Sequence, residues 1–200
     1  MGKVCEMEPV LYFTADTHFY HENIIKYCNR PFKNVEEMNE TIIANWNSVV
    51  RPQDHVYVIG DFIFGGGKKQ TERLVDIVKA LNGYIFLVKG SHDKLDSYNP
   101  SLLGKHASRF HIFKDSIITI SIKNQDIVLC HYAMRVWPKS HYGAWHLFGH
   151  SHGRLKGCGK SFDVGVDCWG FKPLSFFEVR RIMAELPDNF DLVKVVESEK

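Results

Sequence analysis

Residues 10–18 read VLYFTADTH, and the break inside this stretch organises the whole chain. Val10 to Ala15 is an unbroken apolar, aromatic and β-branched run, the composition of a strand buried on both faces. It stops at two polar residues with chemistry of their own, Asp16 and His18. The same arrangement recurs twice: VYVI at 56–59 runs into Gly60-Asp61, and YIFLV at 84–88 runs into Gly90-Ser91-His92-Asp93. Between the first two runs, Met38, Ile42, Trp46 and Val49 stand at helical spacing over 34–50, with Asn34 as N-cap and Glu37 three residues on. Between the second and third, Leu74, Ile77, Val78 and Leu81 repeat the period, and Asn82-Gly83 ends it. Strands alternating with helices predict right-handed crossovers and a mostly parallel central sheet, an α/β fold.

The second half changes character. Ile117 to Ile122, Ile127 to Cys130, Trp145 to Phe148 and Phe162 to Val166 are strand-like runs with short turns, and KNQD at 123–126 reads as a hairpin turn. Ser175 and Glu178 form a capping-box pattern ahead of Val179, Ile182 and Met183, which predicts a late helix.

The 200 residues fit one compact domain, 1–200, and neither an internal repeat nor a long Pro/Gly/Ser linker divides them. Hydrophobic residues at 44% and charged residues at 24% exclude a disordered or fibrous chain, and a net charge of +2 falls short of a dedicated nucleic-acid binder. No apolar stretch approaches the ~20 residues that span a bilayer, and MGKVCEMEPV has no signal-peptide organisation, so the expectation is cytoplasmic. Cys5, Cys28, Cys130, Cys158 and Cys168 contain no CxxC pair, which argues against a disulfide framework and a thiolate zinc site.

Chemistry-bearing residues follow the strand ends: Asp16 and His18, Asp61, Ser91 and His92, His131, and His150 and His152. Loops at the carboxyl ends of such strands converge on one crevice. Carboxylate oxygens and imidazole nitrogens meeting there make a ligand set suited to divalent Mn, Fe, Co, Ni or Zn. In D-x-H and H-x-H, alternate residues of an extended chain point the same way, so each motif can deliver two ligands.

In this order the motifs Asp16-Thr17-His18, Gly60-Asp61, Gly90-Ser91-His92-Asp93, His131 and Gly149-His150-Ser151-His152 closely resemble the calcineurin-like metallophosphoesterase superfamily. The likeness runs from about Leu11 to Asp167 and is nearest to small uncapped bacterial and phage members, whose features DTHFYHENII and NRPF also resemble. It implies a four-layer α/β/β/α sandwich with mixed sheets flanked by helices. It further implies that Asp16, His18, Asp61 and His152 hold a first metal, that Asp61 bridges, and that His131 and His150 hold a second. Where that family carries an Asn ligand to the second metal, this sequence has Ser91, whose hydroxyl is shorter and a poorer ligand.

A phosphate ester resists hydrolysis because the nucleophile must approach an anion, and two cations about 3.5–4 Å apart can activate water and neutralise the phosphoryl group. The expected activity is therefore hydrolysis of phosphomono- or phosphodiesters, small diesters or nucleotides foremost, by attack of metal-activated hydroxide. His92 is the candidate to protonate the leaving oxygen or to hydrogen-bond a phosphoryl oxygen, with Asp93 orienting its loop or its imidazole. His21 and Arg30 could touch a substrate phosphate or serve surface and capping roles. Asp163 and Asp167 read as turn caps or as supports behind the ligands. Trp137, Tyr142, Trp145, His141 and His146 line a mouth or pack in the core, and GGGKK at 65–69 reads as a plain connection because it lacks the P-loop hydroxyl. The expected partner is a small phosphoester, with no membrane and nucleic acid disfavoured. A nuclease, or a scaffold of the same fold that binds a protein, are the competing readings.

Overall fold

A computed structural model of the chain describes residues 8–65, 67–94 and 100–193; Cys5 and Gly66 lie outside the described residues. A five-stranded sheet is built from β1 (Leu11–Thr14), β2 (His55–Ile59), β3 (Tyr84–Val88), β4 (Phe110–Ile112) and β9 (Leu174–Ser175), in the order β4-β3-β2-β1-β9. β1 to β4 run parallel, and β9 joins β1 antiparallel. A four-stranded sheet takes β5 (Ile117–Ile122), β6 (Gln125–Cys130), β7 (Trp145–Phe148) and β8 (Ser161–Asp163) in sequence order, antiparallel at β5-β6 and parallel thereafter.

Crossovers on the first sheet are helical. The short α1 (Glu22–Tyr27) and the longer α2 (Val35–Val49) link β1 to β2, and α3 (Gly67–Ala80) links β2 to β3. The Asn34 side chain accepts the Glu37 amide at 2.9 Å, and Met38, Ile42 and Trp46, four residues apart, are fully buried. Each such side chain stabilises by about 1.5–3 kcal/mol through burial alone. They pack with Leu74, Ile77 and Val78 of α3 on the face of the sheet presented by Val56, Val58, Ile85 and Leu87. Ile59 and Val88 point the other way and meet Ile127, Leu129 and Leu147 of the second sheet, so the alternation along each strand divides the two cores.

The architecture is thus α/β with two mixed sheets packed together and flanked by helices. α4 (Phe176–Glu185) closes the inter-sheet core with Val179 and Met183, under the predicted capping box. The outer face of the second sheet is covered by Met134, Trp137 and Ala144, where the Trp137 indole donates to Ala144 O at 2.9 Å. His146 is fully buried beside Trp137, so both belong to packing rather than to a mouth. Periodicity did not reveal α1, β4, β9 or the 3₁₀ turns over 100–109, each too short or too irregular to show a period. β8 also ends at Asp163, short of the expected Val166, because Val166 turns back to donate its amide to Ala15 O. Among the described residues, no helix is long and apolar enough to cross a membrane.

Candidate metal centre

The segments that leave β1 and β2 stay side by side beyond the sheet: Asp16 N donates to Gly60 O at 3.0 Å and His18 N to Asp61 O at 2.9 Å. The turn after β7 is tied to them, since His150 N donates to Asp16 Oδ2 at 2.8 Å and Gly149 N to His131 O at 3.1 Å. Glycine is required where these backbones nearly touch. A Cβ at Gly149 would lie 2.5 Å from Asp16 Oδ2, and one at Gly90 2.3 Å from Asp61 Oδ1.

Two clusters result. Asp16, His18 and His152 each offer one ligand atom within 4.8 Å of the others, and so do Asp61, His131 and His150. Asp61 stands between the clusters: its Oδ2 is 3.3 Å from His131 Nε2 and 3.6 Å from His18 Nε2. The extended D-x-H geometry expected from the sequence is corrected here. Asp16, His18, His150 and His152 all have positive φ, between 49° and 66°, as does Asp61 at 50°, so both ligands of each motif are aimed by left-handed turns.

The rings are held by their far nitrogens. His131 donates from Nδ1 to Ile59 O at 3.0 Å, which leaves Nε2 for the site. His152 Nδ1 is 2.7 Å from Asp167 Oδ2. His18 Nδ1 lies 3.3 Å from Nδ1 of His21, whose ring stacks on Phe64 with centroids 3.8 Å apart. A fixed outer nitrogen sets the tautomer and the direction of the inner one.

Burial pushes the Asp16 carboxyl up to about 7. Burial also resists the charge on Asp61, but the adjacent His131 and His18 rings and the His92 amide together outweigh it and hold Asp61 far below the carboxylate range. Against the same desolvation, Asp61 carries His131 up to about 9. Burial drives His18 well below the ordinary histidine value, which leaves its nitrogen free to act as a ligand.

These donors fit a pair of divalent cations. Asp16 Oδ1, His18 Nε2 and His131 Nε2 are buried yet have no hydrogen-bond partner, although burying a polar atom unpaired costs about 1–3 kcal/mol. Cys28 also approaches His152 and Asp167, but Asp167 is already engaged by Arg30.

Ser91 is exposed, with its Oγ 3.2 Å from Asp61 Oδ2, the carboxylate that stands between the two clusters. The His92 amide donates to Asp61 Oδ1 at 2.9 Å, while its half-exposed ring brings Nε2 to 4.0 Å from Asp61 Oδ2. Asp93 is buried and orients the loop, not the imidazole: it accepts the amides of Phe62 at 3.0 Å, Ile63 at 3.3 Å and Gly90 at 2.8 Å.

His21 and Arg30, read as candidate substrate contacts or as surface and capping groups, are both buried. His21 is buried against His18 and Phe64. Arg30 has a fully buried side chain whose donors are spent on Asp167 at 2.8 Å, Asp16 O at 2.7 Å and Thr17 O at 3.0 Å. Arg30, Asp167 and His152 form a relay beneath the first cluster. Asp163 similarly braces the last motif, accepting Ser151 Oγ at 2.7 Å and Gly153 N at 3.0 Å. Gln70, which the sequence reading passed over, clamps the His92 loop by donating to His92 O at 3.0 Å and Ile63 O at 2.9 Å. Its signal was weak, a single amide inside a helix.

No family model matches the chain. The uncharacterized protein MJ1445 of Methanocaldococcus jannaschii is 36% identical over 176 residues, which cover 82% of this chain and 86% of that one. Among solved structures, the protein of unknown function AQ665 from Aquifex aeolicus aligns with a TM-score of 0.66 at 28% identity, covering 88% of this chain and 100% of that one. An archaeal phosphodiesterase aligns with a TM-score of 0.44 at 17% identity over 78% of this chain and 82% of that one, a likeness too slight to argue from.

Proposed function

The chain belongs to the family of the Methanocaldococcus jannaschii protein MJ1445, and from its metal centre we propose that it is a metal-dependent phosphoesterase. The observation that carries this reading is the set of buried ligand atoms without a hydrogen bond, Asp16 Oδ1, His18 Nε2 and His131 Nε2, around Asp61. A scaffold that only bound a protein would gain nothing from leaving them unpaired.

Asp16, His18 and His152 would hold one divalent cation and His131 and His150 the other, with Asp61 between them and Ser91 at the edge of the second. When bound, such a pair acidifies water and neutralises a phosphoryl group. The chain's own residues do the rest. The pinned Nδ1 atoms of His131 and His152 keep the rings aimed inward. Asp93 and Gln70 fix the loop that carries His92, and the half-exposed His92 imidazole gives its proton to the leaving oxygen. Manganese is the favoured ion, and small diesters or nucleotides are the favoured substrates.

The test is metal analysis of the purified protein together with hydrolysis of nitrophenyl mono- and diesters in Mn²⁺, Ni²⁺ or Zn²⁺. Two metals per chain and ester cleavage are expected. His92→Asn should retain both metals and lower turnover by about 10²–10⁴-fold, the usual worth of a positioned proton donor. A metal-free protein inert under every ion would end the proposal, and full turnover in the variant would reassign His92.

A further inference from the structure

β5 is an outer strand of the four-stranded sheet, with β6 on one side and no ladder partner among the described residues on the other. Strands in that position are usually guarded by a lysine, a proline or a bulge. Ile117 to Ile122 reads IITISI, with none of these and no charge. Its inward side chains, Ile118, Ile120 and Ile122, are only half-buried against the inter-sheet core, as are the neighbouring Tyr57 and Phe113. Ile117 on the other face is 46% exposed. Among the described residues the edge is therefore apolar as well as unpaired.

Its hydrogen-bonding phase follows from the hairpin. Lys123 and Asn124 form a two-residue turn with φ of 49° and 67°, closed by the pair Ile122 and Gln125. Such a turn closes on a hydrogen-bonded pair, so Ile118, Ile120 and Ile122 direct their N–H and C=O groups at β6. Ile117, Thr119 and Ser121 direct theirs outward.

We propose that this edge pairs with β5 of a second copy, antiparallel, across a two-fold axis at Thr119. In that register Thr119 faces Thr119 and Ile117 faces Ser121, each as a pair that exchanges both backbone bonds. Ile118 then lies beside Ile120 on the inner face, which extends the apolar seam from one copy into the other. No like charges oppose one another, and Asp115 at one end of the strand comes beside Lys123 of the second copy. Charge and register together favour a second copy over an unrelated strand, because self-pairing satisfies both at once.

The test is sedimentation of the full chain with three variants. At about 100 µM, where an association of about 10 µM affinity is mostly complete, the natural chain is expected to be a dimer. Thr119→Pro should be a monomer with an unchanged far-ultraviolet spectrum, since the amide it loses faces away from β6. Thr119→Cys should cross-link on oxidation, because hydrogen-bonded partners stand about 5.5 Å apart at Cα, within disulfide reach. Ser121→Cys should not, as its counterpart lies about 13 Å along the strand. The natural chain under the same oxidant controls for the native cysteines. A monomeric natural chain would give the edge to another occupant, the residues ahead of Glu8 included, and overturn the proposal. A dimer that survives Thr119→Pro would overturn it as well, and so would cross-linking through Ser121→Cys in place of Thr119→Cys.

Discussion

At Asp16, His18, Asp61, His150 and His152 the backbone is left-handed, a conformation that costs a residue with a Cβ about 1–2 kcal/mol. Such strain persists only where the surroundings over-determine it. Here the amides of Asp16 and His18 are both bonded to the Gly60-Asp61 segment and that of His150 to the Asp16 carboxylate, so the neighbouring chain holds these turns. Asp167 carries the heaviest supporting role, because one carboxylate serves both His152 and the buried Arg30. Asp167→Asn should weaken metal binding by about 10–100-fold, the usual worth of a group behind a ligand, and also lower stability, because Arg30 loses its partner. A metal-competition titration and a urea melt separate the two effects, and unchanged metal affinity would restrict Asp167 to Arg30 alone. Ser91 supplies a complementary test. Its hydroxyl reaches Asp61 but is shorter than an amide, so Ser91→Asn should tighten the second metal and raise turnover; equal stoichiometry and rate in both forms would remove the idea.

The strands bring a histidine of another kind. His146 on β7 is locked neutral, because the Met134 amide can only donate and therefore requires Nε2 as acceptor, while Nδ1–H donates to Val128 O at 3.1 Å. Burial pushes its pKa down to about 4. In the unfolded chain it titrates near 6.5, so between about pH 6.5 and 4 the unfolded state takes up a proton that the folded state refuses. The stability due to His146 is thus complete above this window and is lost as pH falls through it, by at most about 1.4 kcal/mol per pH unit. Urea unfolding of the natural chain and of His146→Gln measures this. The natural chain should show the steeper loss, and parallel pH curves would mean that the cover over β7 does not depend on the neutral ring.

Across the whole molecule, the candidate ligands are drawn from the ends of β1, β2, β6 and β7, two strands in each sheet. A cation bound there ties the two sheets together at their carboxyl edge. Binding only to the folded state, it adds about 2.7 kcal/mol at a hundredfold excess over its dissociation constant, several degrees in Tm for a chain of this size. Chelation should therefore lower the unfolding midpoint and Mn²⁺ restore it, in a single transition if 1–200 is one domain. An unchanged midpoint under both treatments would show that the ligand atoms do not hold a metal.

The order of the strand-end motifs was legible in the sequence because each stands where an apolar run stops, and burial on both faces of a strand leaves a one-dimensional signature. The helical period did the same for α2 and α3, and Ser175 with Glu178 for the cap of α4. Those signals are local, and local physics fixed them. What surrounds the ligands was legible only in part: Asp163 and Asp167 could be read as supports or as turn caps, but the positions of Arg30 and Gln70 could not be read at all, because such roles arise from contacts such as Arg30 to Asp167, 137 residues apart. Nor could spacing show that D-x-H and H-x-H reach inward through left-handed turns, because positive φ is imposed by the neighbouring backbones and not by the residues that adopt it. The sequence by itself determined which side chains arrive at the carboxyl edge, while the tertiary structure decided how each is turned, paired and deprived of water.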